Sequence, residues 1–164
     1  MKAEGKPSNL RRLTRGMLRV LPMLVLVMAL VLAVAVGPAS AQGDRLLFAV
    51  LTGANEVPGP GDPDGIGIAV VSLHPTAGQV CFGIVVVRIV LPAIGAHIHV
   101  GGPDVAGPVV VPLTNPDENG LSQGCVSADR NLIQAIQADP AGYYVNVHTT
   151  DFPAGAVRGQ LFRQ

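Results

Sequence analysis

After Lys6 the chain contains no lysine, and it has only two cysteines, Cys81 and Cys125. A surface without lysine is poorly equipped to hold phosphate backbones or anionic headgroups, which argues against nucleic acid and anionic membranes as partners. The two cysteines match neither a zinc-thiolate spacing nor a CxxC redox pair. GxSxG, the P-loop and GxGxxG are all absent, and no carboxylate pair, serine or cysteine stands in a recognisable catalytic setting. The sequence offers no catalytic residue, and a role without enzymatic turnover is expected.

What is present begins with a targeting pattern. Arg11, Arg12, Arg15 and Arg19 precede an uncharged run from Val20 to Val36, and Ala39-Ser40-Ala41 fits a small-x-small cleavage site. Residues 1–41 therefore read as a signal peptide, with residues 42–164 as one β domain. An uncleaved single-span anchor is the alternative, and the only membrane contact expected is through this segment. The domain is then exported, to a periplasm or to the exterior. Six of the eleven Lys and Arg precede Gln42, so the remainder carries five arginines against ten Asp and Glu, five negative charges in excess. Its length suits a single core. Two cysteines in an exported chain are expected to pair, closing a loop that stabilises by about 3–4 kcal/mol; two buried thiols are the alternative.

Short apolar runs broken by Gly, Pro, Asp and Asn predict an all-β chain. Strands are expected over Leu46–Thr52, Ile66–His74, Gln79–Ile89, Ala96–Val100, Pro108–Leu113, Leu121–Val126, Tyr143–Thr149 and Ala156–Phe162. Pro75-Thr76-Ala77-Gly78 joins the second to the third, whose two apolar faces suggest a central position. One short helix is expected between Ser127, as its cap, and Pro140, with Asp129 in its first turn and Leu132, Ile133 and Ile136 as its apolar stripe. This pattern fits a Greek-key sandwich or a flattened barrel.

His97-Ile98-His99 places two imidazoles on one face of a strand, because side chains alternate with a period of two. Tyr144, Asn146 and His148 share one face of a later strand. If the two strands are neighbours, His97, His99 and His148 converge, and imidazole is a common ligand for copper or zinc. The competing reading has these rings hydrogen-bonding nearby turns. Arg158 is expected to form a surface or structural ion pair, for instance with Asp151, or to attract an anion near His148. His74 reads as a turn residue. Asp62-Pro63-Asp64-Gly65 reads as an ordinary turn rather than a calcium loop.

Five segments, Leu51-Thr52-Gly53-Ala54-Asn55-Glu56-Val57-Pro58, Ala96-His97-Ile98-His99-Val100-Gly101, Gly107-Pro108-Val109-Val110-Val111, Tyr144-Val145-Asn146-Val147-His148-Thr149 and Phe152-Pro153-Ala154-Gly155-Ala156-Val157-Arg158-Gly159-Gln160-Leu161, resemble, in this order, the CHRD domain first described in chordin. The resemblance implies an immunoglobulin-like β-barrel outside the cell that acts by binding an extracytoplasmic protein or glycan. A purely structural role in the envelope is a further alternative. Leu91-Pro92, Gly95-Ala96-His97-Ile98-His99, Gly107-Pro108 and Pro112-Leu113 are similar, more faintly, to the copper-ligand region of copper/zinc superoxide dismutases. There a Gly-x-His-x-His strand supplies two copper ligands and a late valine-rich strand ending in histidine supplies another. The zinc loop and bridging histidine have no counterpart between Gly101 and Gly120, so this likeness implies a mononuclear copper site, in a carrier or a weak redox protein.

Overall fold

The computed structural model describes residues 45–164, so the expected signal segment lies outside the described residues. The strands are β1 (Arg45–Thr52), β2 (Ile66–His74), β3 (Gln79–Val87), β4 (Gly95–Val100), β5 (Val109–Pro112), β6 (Leu121–Ser127), β7 (Tyr143–His148) and β8 (Val157–Gln160). All pair antiparallel in one sheet of order β5-β4-β7-β8-β1-β2-β3-β6. The seam between β8 and β1 is thin, consisting of the Thr52–Arg158 pair and an isolated bridge between Phe48 and Phe162. The sheet curls about this seam into a nearly closed flattened barrel. One half is β1-β2-β3-β6 and the other is β5-β4-β7-β8.

Alternation explains which faces meet. Leu47, Ala49 and Leu51 on β1 and Ala69, Val71 and Leu73 on β2 are fully buried, as are Ala96, Ile98, Val145, Val147 and Val157 from the opposite half. The two inward faces form one hydrophobic core. The helix, α1 (Arg130–Ala138), adds Ile133 and Ile136 to it. Its cap is Asp129, whose Oδ1 accepts from the amides of Asn131 and Leu132, rather than the expected Ser127, which ends β6. The carboxylate reaches two of the unpaired amides of the first turn.

The two outward faces differ in kind. On β1, β2, β3 and β6 no outward residue is Asp, Glu, Lys or Arg, and Val50, Ile66, Ile68, Val85, Val87 and Leu121 are each exposed. β3 is interior to the sheet, paired with β2 and β6, as its two apolar faces suggested, but its outer apolar face is open. Cys81 and Cys125 lie on this face as cross-strand partners and are joined in a disulfide, which settles their state against two thiols. The outward face of β4, β7 and β8 is polar and carries the histidines.

Candidate metal centre

Strand order brings the expected ligands together. β7 pairs with β4 in a register that sets Gly95 opposite His148, His97 opposite Asn146 and His99 opposite Tyr144. Gly95 leaves room for two rings, since a Cβ there would come within 3.1 Å of both His148 and His97. The three imidazoles each offer a nitrogen, and these nitrogens all lie within 4.8 Å of one another. His97 Nδ1 is 3.2 Å from His148 Nε2.

Carbonyl oxygens hold two of the rings from behind. His99 Nδ1 lies 2.8 Å from the Gly107 oxygen and His148 Nδ1 lies 3.1 Å from the Pro153 oxygen. A carbonyl can only accept, so each Nδ1 donates and each neutral ring presents its Nε2 lone pair to the cluster. His99 Nε2 is buried and has no hydrogen-bond partner. Burial pushes the pKa of His97 down, with His148 and His99 adding to the effect and a hydrogen bond that the ring donates to Asn146 opposing it. Burial also pushes His148 down, against the contrary pull of the Pro153 carbonyl. The neutral, metal-binding forms are favoured.

The loop from Gly101 to Gly107 folds over this face. Tyr144 stacks on His99 with ring centroids 4.8 Å apart, and its hydroxyl accepts from the Gly107 amide. Gly107 is required by close approach: a Cβ there would overlap the Val100 carbonyl oxygen. The Arg158 guanidinium sits 3.4 Å from the centre of the Tyr144 ring, donates to the Gly102 oxygen and to Gln160 Oε1, and is 1 % exposed. Of the surface or structural role expected for Arg158, the surface one does not apply, because the loop that covers β7 and β8 buries it among carbonyls and an aromatic ring. The carboxylates whose charge reaches it are Glu56 and Asp104 rather than Asp151.

Glu56 was not singled out by the sequence. It is buried, its Oε1 has no hydrogen-bond partner, and burial pushes its pKa up to about 7 against the Arg158 charge and the Val57 amide. Gly155, at φ 147°, leaves space that a Cβ would take from the Glu56 carboxylate. Asn55 beside it donates to the Arg158 carbonyl at 3.2 Å. The Asn55-Glu56 segment thus ties the loop after β1 to β8. Asp62 and Asp64 form the expected turn, with the Asp64 amide 3.4 Å from Asp62 Oδ1. His74 pairs with Ser72 on β2, in the other half of the sheet.

The family model of the CHRD domain matches residues 47–161. No curated protein and no solved structure matches the chain.

Proposed function

The chain belongs to the CHRD domain family, and on that premise we propose that it is an exported domain that acts by binding, with a divalent transition metal, copper first, as its ligand and His97, His99 and His148 as the donors. The observation that carries this reading is His99. Its Nδ1 is held by the Gly107 carbonyl, leaving a buried Nε2 lone pair without a partner. Such an orphan is costly unless something occupies it, and two more imidazoles stand beside it. Carbonyls behind metal-binding histidines fix tautomer and ring direction, which is the arrangement seen here at two of the three. The donor set also selects the metal. All four methionines precede Gln42 and both cysteines are in the disulfide, so no thioether or thiolate is on offer. Imidazoles alone suit Cu(II) and Zn(II), and Cu(II) stands highest in the affinity order. The signal segment, the lysine-free acidic surface and the disulfide support placement outside the cytoplasm.

Metal analysis of the purified exported chain tests this. We expect one Cu(II) per chain, and a His97→Ala variant with equal thermal stability to lose at least about 100-fold in affinity. Sub-stoichiometric copper, or unchanged affinity in the variant, overturns the reading.

The apolar outer face of β1, β2, β3 and β6 favours a second reading, a protein-docking module. The partner this face fits is a second copy of the domain, because two sheets with apolar outward residues stack readily at about 10 Å, with the exposed Asp117, which borders the groove beside Leu121, needing to stay in contact with water. Sedimentation at increasing concentration should show a dimer that Ile68→Asp converts to a monomer. A wild type that stays monomeric at high concentration, or a dimer indifferent to that change, sinks it.

A further inference from the structure

Resting on the metal reading above, we propose that Asn146 Oδ1 is the fourth donor, so that the centre is an N3O set and not three imidazoles alone. Asn146 occupies the middle of the cluster. It lies directly across from His97 on β4 and two residues before His148 on β7, on the same outward face. It is only 3 % exposed, so its amide must be satisfied inside the protein.

The polar groups around His148 Nε2 are arranged as donors to a cation would be. Pro153 O accepts from His148 Nδ1, which leaves Nε2 of the neutral ring with a lone pair. Asn146 Oδ1 lies 3.1 Å from that same Nε2 and also carries only lone pairs. Two acceptors at this distance repel unless a positive group lies beside both; the His97 ring, whose Nδ1 is 3.2 Å from the same Nε2, supplies it as long as that nitrogen keeps its proton, and a metal ion supplies it once the ring is a ligand. Turning the amide, so that Nδ2 donates to Nε2, is the alternative, and it assigns Asn146 a merely supporting role.

Distances distinguish a shared ion from a chance approach. Donors bonded at about 2.0–2.1 Å to one ion are about 2.9 Å apart at a right angle and about 3.4 Å apart at the tetrahedral angle. Asn146 Oδ1 to His148 Nε2, at 3.1 Å, and His97 Nδ1 to His148 Nε2, at 3.2 Å, both fall in that interval. The three imidazole nitrogens as a set spread to 4.8 Å, wider than that interval, so the buried His99 ring must close in to share the ion. An amide oxygen adds a donor without adding charge, so an ion held this way keeps its full positive charge in the site. A carboxylate in the same place would attract it more strongly.

The two roles of Asn146 predict opposite signs for one substitution, which makes the test decisive. Cu(II) is titrated into the wild type, Asn146→Ala, Asn146→Asp and His97→Ala, with Zn(II) competition for affinity and electron paramagnetic resonance for the ligand field. Thermal unfolding of the metal-free proteins confirms that each variant is folded. If Asn146 is a ligand, Asn146→Ala weakens copper about 10- to 100-fold and shifts the copper hyperfine coupling, while nitrogen splitting from the imidazoles persists. Asn146→Asp then tightens binding. If the amide instead donates to His148, Asn146→Asp removes that donor, protonates the ring and weakens binding, which overturns the proposal. Unchanged affinity and spectra in both Asn146 variants, with copper still lost in His97→Ala, overturns it as well and leaves the three-histidine reading standing. A wild type that binds no copper removes both.

Discussion

Replacing Arg158 by Met is expected to destabilise the domain by about 3–5 kcal/mol, a large share of the stability of a domain this size. The aliphatic stem is kept, so the loss isolates the guanidinium. That group donates to Gly102 O at 2.6 Å and to Gln160 Oε1 at 3.1 Å, and it lies on the Tyr144 ring. Hydrogen bonds from a charged donor stabilise by about 1.5–3 kcal/mol, and a desolvated cation–π contact by about 2. Arg158 Nη1 is buried without a partner, which offsets part of that gain. Lysine should rescue poorly, because a point charge cannot both stack on Tyr144 and reach two acceptors. Chemical denaturation monitored by circular dichroism measures the change; a loss below about 1 kcal/mol would show that the loop over β7 and β8 is held by its backbone contacts alone.

The same substitution carries a pH signature. Glu56 titrates at about 7 in the folded protein, above its ordinary 4.5, because burial outweighs the Arg158 charge. A carboxyl whose folded pKa is raised contributes stability that is present below its unfolded pKa and lost as pH rises through the folded one. Wild-type stability therefore acquires a downward component between about pH 4.5 and 7, and Glu56→Gln should abolish it. His97 and His148 act in the opposite sense: their lowered pKa values cost stability as pH falls below the ordinary histidine range. In Arg158→Met the opposing positive charge is gone, so Glu56 should rise further and the downward component extend to higher pH.

How far the sequence disclosed this arrangement depends on the range of the contact. Alternation in Ile66–His74 and the turn at Pro75–Gly78 are local, and the structure follows them closely. His97 and His99 on one face, with Tyr144, Asn146 and His148 on another, were equally legible, since a period of two needs no knowledge of partners. Their convergence was not. It requires β7 to lie beside β4, an arrangement of strands far apart in the chain, and a register that puts His97 against Asn146. The burial of Arg158 was not legible for a related reason. The polar alternation of β8 indicates an outward face, and only the Gly101–Gly107 loop folding back turns that face into a second buried layer. On β3 the apolar residues of both faces indicated an interior strand, which it is, but nothing in the described residues covers its outer face. Asn55 and Glu56 carry their meaning through Arg158, about a hundred residues away, which no local pattern reveals.

Removing the disulfide by the double change Cys81→Ser and Cys125→Ser should cost about 4 kcal/mol. The bridge spans a sequence separation of 44 residues, and a loop of that length loses roughly this much conformational freedom in the unfolded chain when it is closed. Its position makes the effect local as well as global. β6 is an edge strand, and of its seven residues only Ser122 is buried. It is therefore held by its ladder to β3 and by the bridge, with little apolar burial to help. In the double variant, hydrogen exchange should rise first in residues 121–127, ahead of β1, β2, β4 and β7. The melting temperature should fall by on the order of 15 °C. Release of β6 would also expose the β3 edge beside an apolar face, so aggregation on heating should increase. Copper binding at low temperature should persist, because His97, His99 and His148 belong to the other half of the sheet. A double variant within about 1 kcal/mol of the wild type, with β6 still protected, would show that the β3–β6 ladder suffices and that the bridge constrains an already ordered denatured chain.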